Sequence, residues 1–115
     1  MYLSEFTDKL DENFTIVNKS SNAAQTELSK VYCCDLLSFA MARNPAGSVW
    51  VTVMGNVNTM GVVTLTDGGC VILAENAALD AAAEKKAVEQ DITVIKTRLP
   101  VFEAALAANK LLLNL

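Results

Sequence analysis

The chain has 115 residues, 52% of them hydrophobic, and a positive mean hydropathy: material for one compact domain with a true core and too little for two. Nine Lys and Arg against thirteen Asp and Glu give a net charge of −4. The cations are scattered from Lys9 to Lys110, and backbone binding to nucleic acid needs them clustered, so nucleic acid is not an expected partner. The absence of histidine excludes His-based triads, His-ligated zinc and the usual near-neutral acid–base group.

The opening MYLSEFTDKLDENF has acids among its first twelve residues and no long apolar run. It reads as neither signal peptide nor membrane span, so no membrane partner and a cytoplasmic location are expected. Leu3, Phe6 and Leu10 at helical spacing, with Ser4 as N-cap, predict a short helix over 4–11. FTIV (14–17) reads as a strand, polar NKSSNAAQ (18–25) as a loop and ELSKVYCC (27–34) as a strand. Asp35 then caps a helix in DLLSFAMARN, with Leu36, Leu37, Ala40 and Met41 as its apolar stripe and Asn44-Pro45 as its stop. SVWVTVM (48–54) is apolar and β-branched enough for a central strand covered on both faces.

VMGNVNTMGVVTLTDGGCVILAEN (53–76) can be read two ways. Locally, GVVTLTDGGCVIL looks like a hairpin turning at Asp67-Gly68-Gly69. The flanking segments, however, supply parallel strands that need crossover helices, and Asn56 is a sound N-cap for a helix over 56–66 with Val57, Met60, Gly61, Thr64 and Leu65 on one face. CVILAE (70–75) follows as a buried strand, DAAAEKKAVEQD (80–91) as a helix started by Asp80, and ITVIKT (92–97) as a strand. Pro100 fits the first turn of a last helix in which Phe102, Leu106 and Leu113 face one way. The apolar end LLLNL folds back onto its own core or packs on a second subunit. Alternation of this kind means an α/β fold, a three-layer α/β/α sandwich on a mostly parallel central sheet with right-handed crossovers.

VYCCDLLSFAMARNPAGSVWVTVMGNVNTMGVVTLTDGGCVILAEN, followed by EKKAVEQDITVIKTRLPVFEAA, resembles the DRTGG domain, above all its small stand-alone versions encoded near iron-only hydrogenases. The resemblance covers about 28–106, rests on the order of segments, and makes 56–66 a helix. The fold it implies is similar to the N-terminal domain of HPr kinase and the first domain of Mur ligases. DRTGG domains accompany CBS domains, some pyrophosphatases and phosphotransacetylases as regulatory or dimerising modules without known catalysis. The resemblance therefore implies a single non-enzymatic domain over 1–115, a homodimer, no cofactor, and a partner protein such as a hydrogenase or a CBS-type regulator. The sequence departs from the namesake pattern: Gly55-Asn56-Val57 stands for Gly-Asp-Arg, and Ala74-Glu75-Asn76 for Thr-Gly-Gly. The serine kinase label that some relatives carry does not transfer, because no G-x-x-x-x-G-K-[ST] loop is present to cradle phosphates.

Open α/β sheets hold ligands at the carboxyl ends of their strands. On this map those ends carry Asp35, Gly55, Asn56, Asn58, Glu75, Asn76, Thr97 and Arg98, a polar rim where the amides after Gly55 and the Arg98 guanidinium could hold a small anion or nucleotide. The bland alternative makes Asp35 and Asn56 helix caps and the rest loop residues. Cys33, Cys34 and Cys70 read as reduced thiols in apolar surroundings, the first two unable to pair because neighbours in a strand point to opposite faces. With no His they fall short of a four-ligand metal set. An accessory role in iron-only hydrogenase or iron–sulfur metabolism, with these thiols handling metal, is the alternative function. Trp50, Met41, Met54 and Met60 are expected in the core.

Overall fold

The structure is a computed structural model that describes residues 1–114. Ten elements follow one another, alternating from β2 onward: α1 (Leu3–Asp8), β1 (Phe14–Asn18), β2 (Val31–Cys33), α2 (Leu37–Arg43), β3 (Val49–Thr52), α3 (Val57–Leu65), β4 (Cys70–Leu73), α4 (Ala81–Glu89), β5 (Val94–Thr97) and α5 (Val101–Leu113). The five strands form one sheet in the order β1-β5-β4-β3-β2. Strands β2 to β5 are parallel, and β1 closes the sheet antiparallel to β5. This is the expected α/β architecture with a mostly parallel sheet.

β3 and β4 are buried at every position, as their unbroken apolar runs demand of strands covered on both faces. On one face Val49, Val51, Cys70, Ile72 and Ile95 pack against α1 and α5 through Leu3, Phe6, Ala104 and Ala108. On the other, Trp50, Val71, Leu73 and Val94 meet Ala40 of α2, Met60 and Val63 of α3, and Ala83 and Ala87 of α4. Each fully buried aliphatic side chain contributes about 1.5–3 kcal/mol. Trp50 lies at the centre with its indole Nε1 donating to the Cys34 carbonyl at 3.0 Å.

The ambiguous stretch is a helix. The Asn56 side chain accepts from the amides of Asn58 and Thr59 at 3.0 and 3.1 Å, and β3 and β4 run parallel in the register Val49↔Cys70 to Thr52↔Leu73, which no hairpin can produce. Asp67 takes a left-handed φ of 55° and leads into Gly68-Gly69, where a Cβ on Gly69 would lie 2.8 Å from the Ser48 carbonyl. The Asp-Gly-Gly sequence thus ends a helix beside a neighbouring strand.

Several expectations need correction. Helix α1 starts at Leu3 with Tyr2 at its N-cap position, so Ser4 lies inside it. Of 27–34 only Val31–Cys33 is strand, and Glu27 makes an isolated bridge with Tyr2. Asp35 does not cap α2, whose N-cap position is Leu36 without a side-chain bond; its carboxylate serves the end of β3 instead. In α2 only Ala40 is buried, and Leu36 and Met41 are more than half exposed, because the helix lies at the margin of the sheet beside the edge strand β2. In α3 the buried residues are Thr59, Met60, Val62 and Val63, while Leu65 is 72% exposed; the helix is apolar all round, so its periodicity names no face. Phe102, Leu106 and Leu113 do share a side of α5, and it is the solvent side, since the helix settles on the sheet through Ala104 and Ala108. Cys33 is exposed; Cys70 is buried. In LLLNL, Leu111 and Leu112 pack on the chain's own core and Leu113 is exposed; Leu115 lies outside the described residues.

Candidate functional site

The carboxyl end of the sheet carries two separate groups of the expected rim residues. At the β2 and β3 tips, Asp35 Oδ1 accepts from Thr52 Oγ1 at 2.7 Å and from the Val53 amide at 2.9 Å, tying the ends of the two strands together. Asn56 spends its side-chain oxygen on the first turn of α3, and Asn58 stands exposed one residue into that helix. Gly55 is packed: a Cβ there would run into the carbonyl of Ala78, and the Gly55 carbonyl accepts from the Asp80 amide at 3.0 Å. The loop after β4 therefore lies against Gly55 and divides this group from the next.

The second group sits where the winding reverses. Helices α2, α3 and α4 cover one face, whereas α5, which follows β5, crosses to the other. Adjacent strands whose connections leave to opposite faces open a crevice at their carboxyl ends. Here main chain laces part of it shut, with the Glu75 amide donating to the Leu99 carbonyl at 2.8 Å and the Asn76 amide to the Thr97 carbonyl at 3.0 Å. Glu75 Oε2 accepts from the Val101 amide at 3.0 Å and so serves as the N-terminal acceptor of α5, which Pro100 at the N-cap position cannot be. Thr97 donates its hydroxyl to the Asn13 carbonyl at 2.7 Å.

What remains open is a cleft of about 340 Å³ on the β1 side of this crevice. Asn76, Thr97 and Arg98 of the expected rim line it. Glu12, Asn13, Thr15 and Lys96 line it too, and the sequence reading missed them because nothing local in FTIV indicates an antiparallel return beside β5. The register Thr15↔Lys96 sets these two side chains side by side on one sheet face. The cleft exists because α4 runs diagonally. It begins beside Gly55 at the β3 tip and ends beside β1, where Asn18 Nδ2 donates to the carbonyls of Ala87 and Ile92 at 3.4 and 2.8 Å, so the far corner of the sheet stays uncovered. Among the described residues neither Lys96 nor Arg98 pairs with a carboxylate.

The thiols do not converge. Cys33 and Cys70 lie on strands separated by β3, and among the described residues no three His, Cys, Asp or Glu side chains group as a metal site. Burial pushes the Cys70 thiol up to about 12; partial burial and then the Asp35 carboxylate also raise Cys33. Both effects disfavour the thiolate that metal binding and redox chemistry require.

No protein-family model matches the sequence, and no curated protein matches it. Among solved structures, the CBS and DRTGG domains of the regulatory region of Clostridium perfringens pyrophosphatase, complexed with the activator diadenosine tetraphosphate, match with a TM-score of 0.73 at 15% sequence identity. The match covers 93% of this chain and 45% of that one, so the chain spans under half of its neighbour's length. At this identity the likeness speaks for the fold alone, and it supports a DRTGG-like one. Among the described residues no helix is long and apolar enough to cross a membrane.

Proposed function

We propose that this chain is a non-enzymatic regulatory or interaction module of the DRTGG type, a homodimer that senses a small anionic ligand or nucleotide at the carboxyl-end rim of its sheet and is read by a partner protein. The observation that carries this reading is the likeness in fold, over 93% of the chain, to a regulatory region whose own structure holds a nucleotide activator. The rim adds chemical support: Lys96 and Arg98, which among the described residues have no carboxylate partner, border an open cleft. The positive φ values of Glu75 and Asn76, 60° and 55°, fall where the DRTGG pattern has its two glycines, which favours kinship over coincidence. The alternative, metal handling by Cys33, Cys34 and Cys70, has no comparable support.

The test is a thermal-shift panel of nucleotides, phosphates, sulfate and small carboxylates on the purified chain. A ligand at about 100 times its Kd stabilises the native state by about 2.7 kcal/mol, several degrees for a domain of this size. A melting temperature unmoved by the whole panel would overturn the ligand-sensing reading.

A further inference from the structure

We infer that the open corner between β1 and β5 binds a small phosphomonoester, with Lys96 and Arg98 on the phosphate and Glu12 on a hydroxyl of the body it carries. This deepens the ligand-sensing reading and rests on it.

Charge selects the class. A phosphomonoester is close to a dianion at neutral pH, and the cleft lining holds two cations against a single carboxylate, Glu12. The planar Arg98 guanidinium suits two phosphate oxygens at once, and Lys96 supplies a point charge beside it. Among the described residues the Thr15 hydroxyl and the side-chain amides of Asn13 and Asn76 have no protein hydrogen-bond partner, although all three line the cleft. They are free to complete the shell. By contrast the Asp35, Asn56 and Glu75 side chains of the wider rim are already bonded within the protein.

Size narrows the class further. About 340 Å³ is at the low end of ligand cavities, which fits a sugar phosphate or one nucleoside monophosphate and not a dinucleotide. Glu12 accepts hydroxyl or amino donors only, so it orients the body of the ligand while the cations hold its head. No step of bond making is implied.

The experiment is an amide-correlation NMR titration of the ¹⁵N-labelled full chain with ribose 5-phosphate, with AMP and with adenosine. Saturable shifts at Thr15, Asn76, Lys96 and Arg98 with at least one phosphate ester, and none with adenosine, are expected. A response to both esters identifies the sugar phosphate as the recognised unit, and a response to AMP alone identifies the nucleotide. Lys96→Gln and Arg98→Gln should each weaken binding about tenfold or more, with unchanged spectra away from the cleft showing that the fold persists. Binding at wild-type strength in both variants overturns the inference. So does silence toward both esters, in which case the broader anion panel decides the ligand-sensing reading on its own. Shifts centred on Asn56–Asn58 with a silent cleft overturn the inference and leave that reading standing.

Discussion

Single residues at the strand ends hold geometry that their types alone do not announce. Gly55 read as a rim residue ahead of the amides that could hold an anion; the fold needs it because the loop after β4 presses the Ala78 carbonyl into the space a side chain would need. Backbone cannot yield as a flexible side chain does, so Gly55→Ala should lower stability by about 2–3 kcal/mol, read as a reduced urea midpoint at unchanged slope. Asn76 shows the complementary case. Its φ of 55° lies in the left-handed region, which costs an ordinary L-residue about 1–2 kcal/mol and Asn less. Asn76→Val should therefore destabilise by about 1–2 kcal/mol, while Asn76→Gly stays within about 0.5 kcal/mol as strain relief offsets added unfolded-state freedom. Equal costs for the two substitutions would show that the Asn76 side chain, and not its backbone, matters for stability.

At the scale of elements, the sequence showed where each helix and strand lies better than which way it faces. Asn56, Asp80 and the Asn44-Pro45 stop could be recognised because caps and breakers act within a few residues. The faces of α2, α3 and α5 could not. Helix α3 is apolar on every side, and α5 approaches the sheet by Ala104 and Ala108 while Phe102, Leu106 and Leu113 point away; the mass of these side chains and their burial are decoupled. The loop after β1 was equally opaque, since its anchor lies far away in sequence: the Asp91 carboxylate accepts from the Ser21 hydroxyl at 2.6 Å and the Ser21 amide at 2.8 Å. These bonds lower the Asp91 pKa in the folded state. A lowered folded pKa makes a contribution that is present above the unfolded value, near 3.9, and is lost as pH falls through the folded one. Ser21→Ala should thus reduce stability at neutral pH and flatten its decline below about pH 4, measured as urea midpoints across that range. An unaltered acid limb would show that Ser21 does not set the Asp91 titration.

The order of elements made the α/β class legible, because parallel strands force crossovers and crossovers force layers. What order could not reveal was the sheet's edges, which are β1, returning beside β5, and β2, the last strand in the order among the described residues. The two edges differ. β1 carries an irregularity between Ile16 and Asn18, a feature that discourages further pairing. β2 is a short, uncharged run, Val31-Tyr32-Cys33, with its outer side unpaired in the sheet. Apolar side chains flank it on both faces: Phe102 (69% exposed) and Leu106 of α5 border a cleft with Val31, and Leu36, at the N-cap position of α2, and Phe39 within it stand exposed opposite. Dimerisation through this edge would cover both patches in one contact, and a two-fold axis pairs a patch with itself without further design. At tens of micromolar, light scattering should give about twice the 12.3 kDa chain mass. Phe102→Glu with Leu106→Glu should return the monomer with its far-ultraviolet circular dichroism intact, since neither side chain is in the core and buried like charges oppose re-association. A wild-type monomer would overturn the homodimer, and a dimer indifferent to these charges would place its contact elsewhere.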